Sequence, residues 1–336
     1  MNTEHGGSDS GPAAAFDFSS NAGPLGAPPL LLQAVLTADR SRYPDPSYAA
    51  LRAHLAAAEE VGTHRVLPAS GGAEAIRRLS LAARLSGLSE VWVPQPGFGD
   101  YAAAASALGL QVHRYADVQK LSQALRTPAL VWVCEPCNPT GDSLKAADWL
   151  ALDAALQRSG ALLAIDCAYK PLRLDGTNCL PQAMAEQAWR LVCPNKALAL
   201  TGVRAAYLLA PASGRLSPEV AGLAASWVLS SEGLSLLMHW HSDATLSHLR
   251  QAKAQLLTWR ADQREMLAAL GWQQRPTCTN FWLAKPGQAG LLGPLRERGI
   301  KLRDATSFGL PGWVRLSTQM PEAQHALQYA LKELQT

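Results

Sequence analysis

Residues 161–171 read ALLAIDCAYKP. Positions 161–166 form a short apolar run that ends on an aspartate. A run this brief and this apolar reads as a strand buried on both faces. The carboxylate of Asp166 at its end then needs a cation or a hydrogen-bond donor, because burying it alone is costly. A protonated pyridine nitrogen would serve, and Tyr169, three positions on, would reach the same ligand through its hydroxyl. The plainer alternative makes Asp166 a helix N-cap or a salt-bridge partner.

Runs of the same kind recur on both sides. They lie at 64–68, 90–94, 111–115, 129–134 and 190–193. Helical patterns at 73–86, 98–108, 117–126 and 144–158 separate most of them. Strands alternating with helices predict an α/β fold with a mostly parallel central sheet and helices on both faces. Residues 204–210 add a strand that suits an antiparallel place. Long helical patterns fill 215–270. After about 271 the rhythm changes to short strands in TNFWLAK, GIKLRD and GWVRLS, with helices near 288–298 and 321–334. This gives an N-terminal arm and helix (1–40), a large α/β domain (41–270) and a smaller C-terminal α+β domain (271–336). Residues 1–26 read as an irregular arm rich in Gly, Ser, Pro and Ala. RYPDPSY separates helical patterns at 28–39 and 47–60.

The chain has 336 residues, 48% of them hydrophobic, with a formal net charge of +3. That suits a globular protein with a large core and gives no reason to expect nucleic acid or an anionic membrane as partner. No apolar run approaches the roughly 20 residues of a membrane span. The N-terminus lacks a signal-peptide pattern, so a cytoplasmic location is expected. Cys134 and Cys137 form a C-x-x-C, but no second pair follows. The six cysteines read as reduced thiols, not as a metal or redox site.

Ligands of open α/β sheets bind beyond the carboxyl ends of the strands, and polar or glycine-rich motifs fall there. After 64–68 comes ASGGAEAI (69–76), where Gly72 and Ala73 would form a phosphate cup at a helix start. It is not a Walker loop, and a tight strand-to-helix turn is the alternative. After 90–94 comes PGFGDY (96–101), where Phe98 would stack on a planar ligand or cap the core. After 129–134 comes CEPCNPTG (134–141), whose rigid turn would present Asn138. After 190–193 comes CPNKALALTGVR (193–204). Lys196 stands there without a charged neighbour before Arg204. Desolvation would lower its pKa and free an amine for a Schiff base; a solvated helix-start lysine is the alternative. Together these supply a phosphate cup, an aromatic plate, an amide for a ring oxygen, a carboxylate for a ring nitrogen, a lysine for an aldehyde and an arginine for a phosphate. That set matches pyridoxal 5'-phosphate.

The chain resembles fold-type I pyridoxal-phosphate enzymes of the class I/II aminotransferase group, from about residue 5 to about 330. The resemblance rests on N-P-T-G, on D-x-A-Y and on K-x(5)-G-x-R. It implies that Asn138, Asp166 and Tyr169 contact the ring, that Lys196 bonds the aldehyde, and that Arg204, after Gly202, holds the phosphate. It also implies a homodimer with shared active sites, in which Tyr43 of RYPDPSY reaches the phosphate of the neighbouring subunit's cofactor. Within the group the chain is most similar to threonine-phosphate decarboxylases of cobalamin synthesis, through HGG, DFSSNAGPLGAPP, PGFGDY and GIKLRD…WVRLS. That similarity makes His5, Gly6 and Asn21 substrate contacts and gives Arg303 and Arg315 the two anionic groups of a small phosphorylated amino acid. The chain departs from the family pattern at Pro194 and Asn195, at Cys137, at Cys167 and in the short gap after HGG.

The expected activity is therefore decarboxylation of L-threonine O-3-phosphate to (R)-1-amino-2-propanol O-phosphate. The alternative is an aminotransferase acting on histidinol phosphate or a related amino acid. Lys196, Asp166 and Tyr169 are the expected catalytic residues, and no metal is called for. Which bond at Cα stands perpendicular to the ring would decide between the reactions, and motifs do not encode that. A non-catalytic binding protein of this fold is a rival that the intact motif set opposes. A nucleotide-binding protein is another, and it lacks both G-x-G-x-x-G and a Walker loop.

Overall fold

The computed structural model describes residues 6–334. The strands are β1 (Phe16–Asp17), β2 (Val66–Ala69), β3 (Glu90–Pro94), β4 (Gln111–Tyr115), β5 (Leu130–Cys134), β6 (Leu162–Asp166), β7 (Trp189–Val192), β8 (Ala206–Leu209), β9 (Gln273–Gln274), β10 (Phe281–Lys285), β11 (Ile300–Lys301), β12 (Arg303–Asp304) and β13 (Val314–Ser317). The helices are α1 (Pro29–Leu36), α2 (Ala49–Ala58), α3 (Gly72–Leu85), α4 (Gly99–Ala107), α5 (Val118–Ala124), α6 (Ala146–Ser159), α7 (Gln182–Gln187), α8 (Ser217–Gly222), α9 (Ser231–His239), α10 (Asp243–Ala269), α11 (Leu292–Glu297) and α12 (Pro321–Glu333).

The central sheet has seven strands in the order β2-β8-β7-β6-β5-β3-β4. β4, β3, β5, β6 and β7 run parallel, and β8 pairs antiparallel with both β7 and β2. The predicted α/β architecture is present, with the antiparallel strand where 204–210 suggested it. Alternation along the strands divides two cores. Leu130 and Trp132 of β5, with Leu162 and Ala164 of β6, join the core that holds α3 and α4. Val131, Val133, Leu163 and Ile165 face the other way and pack with Trp149 and Leu152 of α6. A strand with both faces covered has no use for polar residues until it ends. The first polar side chains therefore appear at Cys134 and Asp166, which lie in register across β5 and β6. Truncating fully buried Trp149 to alanine would cost about 3–5 kcal/mol.

Helix ends follow local chemistry. The Asp117 side chain caps α5, and the Ser230 and Ser242 side chains cap α9 and α10. Gly160 ends α6 in a left-handed conformation that suits glycine. Where α2 ends, Glu59 is held under the large sheet. Tyr207 donates to its Oε1 at 2.5 Å, and Arg190 and His241 lie 3.7 Å away. Burial opposes its charge, but nearby His241 and the hydrogen bond from Tyr207 prevail and hold its pKa at about 2.

A second sheet, ordered β12-β13-β10-β9, is antiparallel and carries α11 and α12. α10 links the two bodies: Leu249 and Leu256 sit in the large core and Leu267 in the small one. The arm expected to be irregular contains β1, which pairs in parallel with β11. Phe18 is fully buried in the small core, and its carbonyl accepts from Ser317 N at 2.9 Å. The reason is long-range pairing, which local composition does not report.

Candidate active site

The order of strand addition reverses in the large sheet between the parallel strands β3 and β5, because β4 lies outward of β3 while β6 and β7 lie outward of β5. Such a switch leaves a crevice at the carboxyl ends of the strands. A cavity of about 1090 Å³ lies there, closed on its far side by the small sheet and the arm.

The turn after β2 puts Gly71 at the N-cap of α3 with φ 102°, which favours glycine. A Cβ at Gly71 would collide with the Arg204 guanidinium. Arg204 is anchored by donating to Thr201 O at 2.9 Å. Gly72 and Ala73 open the helix, so their N–H groups point out of its positive end beside that cation. This corner can hold a phosphate.

Phe98 precedes α4 and lines the cavity. Tyr101, one turn later, is fully buried against Trp132, with ring centroids 4.9 Å apart. Its hydroxyl donates to Asp166 Oδ2 at 2.6 Å. Asp166 Oδ1 accepts from Ala168 N at 2.9 Å. A carboxylate has about four acceptor positions, so both oxygens retain capacity for a ligand.

After β5, Cys137 and Gly141 close a tight turn, with Gly141 N donating to Cys137 O at 2.7 Å. Asn138 is buried, and its Oδ1 accepts from Arg315 Nη1 at 2.6 Å. Its amide nitrogen remains as the donor end toward the cavity. The Tyr169 hydroxyl accepts from Asn21 Nδ2 at 3.2 Å. The Lys196 ammonium lies over the Tyr169 ring, 5.2 Å from its centroid. Burial acts to lower the Lys196 pKa, but Tyr169, Cys193, Asp166 and Cys134 outweigh it and raise the group above the ordinary lysine range. The expectation of a lowered pKa is corrected: the protein alone holds an ammonium here.

The far wall belongs to the small sheet. Arg303 and Arg315 are direct partners across β12 and β13, and both are buried. Arg303 donates to Asp304 O and to Ser307 Oγ, each at 2.7 Å. Arg315 Nη2 donates to Ser19 O at 2.5 Å. Burial, then the nearby Arg303, push Arg315 down to about 10 against Tyr169 and Asp17, so it stays cationic at neutral pH. Asn21 Oδ1 and Arg315 Nε are buried without hydrogen-bond partners. Gly6 packs so tightly that a Cβ would strike Ser19 O and Arg315.

The cavity thus gathers Gly6, Asn21, Gly72, Ala73, Phe98, Asn138, Asp166, Tyr169, Lys196, Arg204, Arg303 and Arg315. His5 lies outside the described residues. Tyr43 is outside this cavity: it is exposed and stacks on Trp227 at 4.3 Å. Sequence reasoning gave no role to Ser307 or Cys193, which also line the site, or to the Tyr101 hydroxyl. The lysine and aspartate spacings pointed to the large-domain wall, but no spacing signals a serine four residues after an arginine.

The profile of the family described as aminotransferase class I and II matches residues 16–334. The chain belongs to this family. A histidinol-phosphate aminotransferase from Halorubrum lacusprofundi is 30% identical to this family member over 96% of this chain and 89% of that protein. Among solved structures, L-threonine-O-3-phosphate decarboxylase from Porphyromonas gingivalis has a TM-score of 0.80 at 21% identity, covering 95% of this chain and 98% of that one. Histidinol-phosphate aminotransferase from Sinorhizobium meliloti, solved with pyridoxal-5'-phosphate, has a TM-score of 0.80 at 22% identity, covering 96% and 91%. The fold is therefore that of fold-type I pyridoxal-phosphate enzymes, and pyridoxal 5'-phosphate is the cofactor of this family member. The site suits that group: a buried carboxylate for a ring nitrogen, a glycine cradle beside Arg204 for a phosphate, and Lys196 lining the same cavity. Among the described residues no helix is long and apolar enough to cross a membrane.

Proposed function

We propose that this chain is an aminotransferase that acts on a small phosphorylated amine or amino acid of the histidinol-phosphate kind. The observation that carries the substrate class is the buried cross-strand pair Arg303 and Arg315, on the opposite wall from Lys196. Like charges set directly opposite each other are unfavourable without a counter-charge. A phosphate or carboxylate would complement them, with bidentate geometry from each guanidinium. The 30% identical relatives named histidinol-phosphate aminotransferases support amino transfer as the reaction.

Each residue then has a task. With pyridoxal 5'-phosphate bound, Lys196 would hold its aldehyde carbon and would carry the proton at the substrate Cα. Asp166 would accept from its pyridine nitrogen, Phe98 would pack against the ring, and Asn138 and Tyr169 would donate to its ring hydroxyl oxygen. Gly72, Ala73 and Arg204 would bind its phosphate, with Tyr43 of a second copy completing that corner in a homodimer. Asn21, with Gly6 of the arm, bounds the substrate side. When bound, pyridoxal 5'-phosphate supplies an electron sink for the bond broken at Cα.

A second reading, decarboxylation of L-threonine O-3-phosphate, is favoured by one feature. Arg303 and Arg315 are adjacent enough to take a phosphate and a carboxylate of one molecule, and the arm that bounds them carries the HGG and DFSSNAGPLGAPP segments. In that case the arginines would orient the substrate carboxylate for loss as carbon dioxide, and Lys196 or water would return a proton to Cα.

Product analysis tests both. The cofactor-loaded protein is incubated with histidinol phosphate plus 2-oxoglutarate, and separately with L-threonine O-3-phosphate without any keto acid. Glutamate formation in the first supports the aminotransferase. Sustained carbon dioxide and aminopropanol phosphate in the second, without glutamate in the first, overturns it in favour of the decarboxylase.

A further inference from the structure

α4 begins at the mouth of the cavity and sends two aromatic side chains down from one turn. Phe98 lines the space for the ring, while Tyr101 passes behind it, the two rings meeting edge to face at 5.6 Å and 85°. Tyr101 is fully buried, is stacked on Trp132 and ends 2.6 Å from Asp166 Oδ2. We propose that Tyr101 is a positioning residue, whose hydroxyl fixes the Asp166 carboxylate so that its remaining acceptor positions face the cofactor's pyridine nitrogen. This rests on reading Asp166 as the partner of that nitrogen.

The argument is geometric. An aspartate at a strand end can rotate about two bonds, and a hydrogen bond to each oxygen removes that freedom. Ala168 N holds one oxygen through the chain itself. Among the described residues, Tyr101 alone holds the other, from a different element, and the Trp132 stack limits where its hydroxyl can go. Burial and the Asp166 charge push the Tyr101 hydroxyl well above its ordinary range, so it remains a donor throughout the working pH range. The titratable groups around the carboxylate are Tyr101, Cys134 in register beside it, Cys167 next in the chain, and Lys196 and Tyr169 on the same wall. Contact with Cys137, burial and the Asp166 charge raise the Cys134 thiol, which leaves it neutral.

The test uses the full chain loaded with pyridoxal 5'-phosphate labelled with ¹⁵N in the ring. Three variants are compared with the parent: Tyr101→Phe, Asp166→Asn and the pair together. Tyr101→Phe is expected to weaken cofactor binding about tenfold. It is also expected to lower the pH at which the ring nitrogen loses its proton by about one unit. In the Asp166→Asn background it should add nothing, because it acts through that carboxylate. If Asp166→Asn moves both readouts and Tyr101→Phe moves neither, or if the two effects add in full, the positioning role is overturned and the proposed function stands. If neither variant moves the nitrogen resonance, the Asp166 assignment fails and the inference falls with it. Trp132→Phe keeps the hydroxyl but loosens the stack that aims it. It provides a second variant where Tyr101→Phe does not fold, and it should move the same resonance in the same direction by less. An unmoved resonance there also overturns the inference.

Discussion

The two walls of the cavity are built differently. The wall from the large sheet consists of side chains at the ends of successive strands, each held by a neighbour or by its own turn: Asp166 by Tyr101 and Ala168, Arg204 by Thr201. The wall from the small sheet brings two like charges together and ties one of them to distant parts of the chain. Arg315 reaches Asn138 and Ser19, 177 and 296 positions away. Orphaned polar atoms, Arg315 Nε and Asn21 Oδ1, lie on this side. A wall whose groups are each held in place suits a resident cofactor, and one that sets like charges together suits a substrate that comes and goes.

The sharpest way to break this division is Lys196→Ala. It should lower kcat by about 10³-fold or more. It should also abolish the covalent cofactor adduct that borohydride fixes in the parent, read as a mass increase on the intact protein. Asp166→Ala comes next, with kcat falling about 10²–10³-fold and weaker cofactor retention on gel filtration. An unchanged kcat in either variant would remove the large-sheet wall from the chemistry.

The substrate wall should respond otherwise. Arg303→Lys is expected to raise KM for the phosphorylated substrate about 10–100-fold through the lost fork geometry, with cofactor affinity unchanged. Arg315→Lys should raise KM similarly and also lower kcat, because Asn138 loses its partner. Equal KM and kcat effects in the two variants would show that the arginines do not divide the work this way.

The smallest catalytic effect is expected at Glu59, under the sheet and outside the cavity. Its pKa of about 2 lies below the unfolded value of 4.5, so its charge stabilises the fold above the unfolded pKa, and that stability is lost as pH falls toward 2. Glu59→Gln should cost about 2–3 kcal/mol at neutral pH, with the deficit shrinking below pH about 4.5, in denaturant melts across pH. Its kcat/KM should match the parent.

This contrast also explains what could be read from the sequence. Asp166, Asn138 and Lys196 each follow an apolar run that local patterning reveals, and they converge because parallel strands align their ends. β3 and β4 have the boundaries that the apolar runs predict, 90–94 and 111–115. The pairing of Arg303 with Arg315 depends on antiparallel register in strands of two and four residues, too short for periodicity to fix. Phe98 and Tyr101 were both legible as aromatics at a helix start. Which of them turned toward the carboxylate depended on how α4 docks against Trp132. Lys196 shows a further limit: its sequence neighbours are apolar, but the groups that raise its pKa include Tyr169 and Asp166 from another strand end.

The pairing of β1 with β11 also has a meaning in time. During synthesis, residues 16–18 emerge first, and their partners at 299–317 follow roughly 280 residues later, a delay on the order of tens of seconds. The large sheet and its cofactor corner can assemble on the ribosome in that interval, while the arm has no sheet to join. Under the proposed function, substrate recognition is therefore the last property the nascent chain acquires, and a chain truncated before residue 300 would retain the strand ends of the cofactor wall without Arg303 and Arg315.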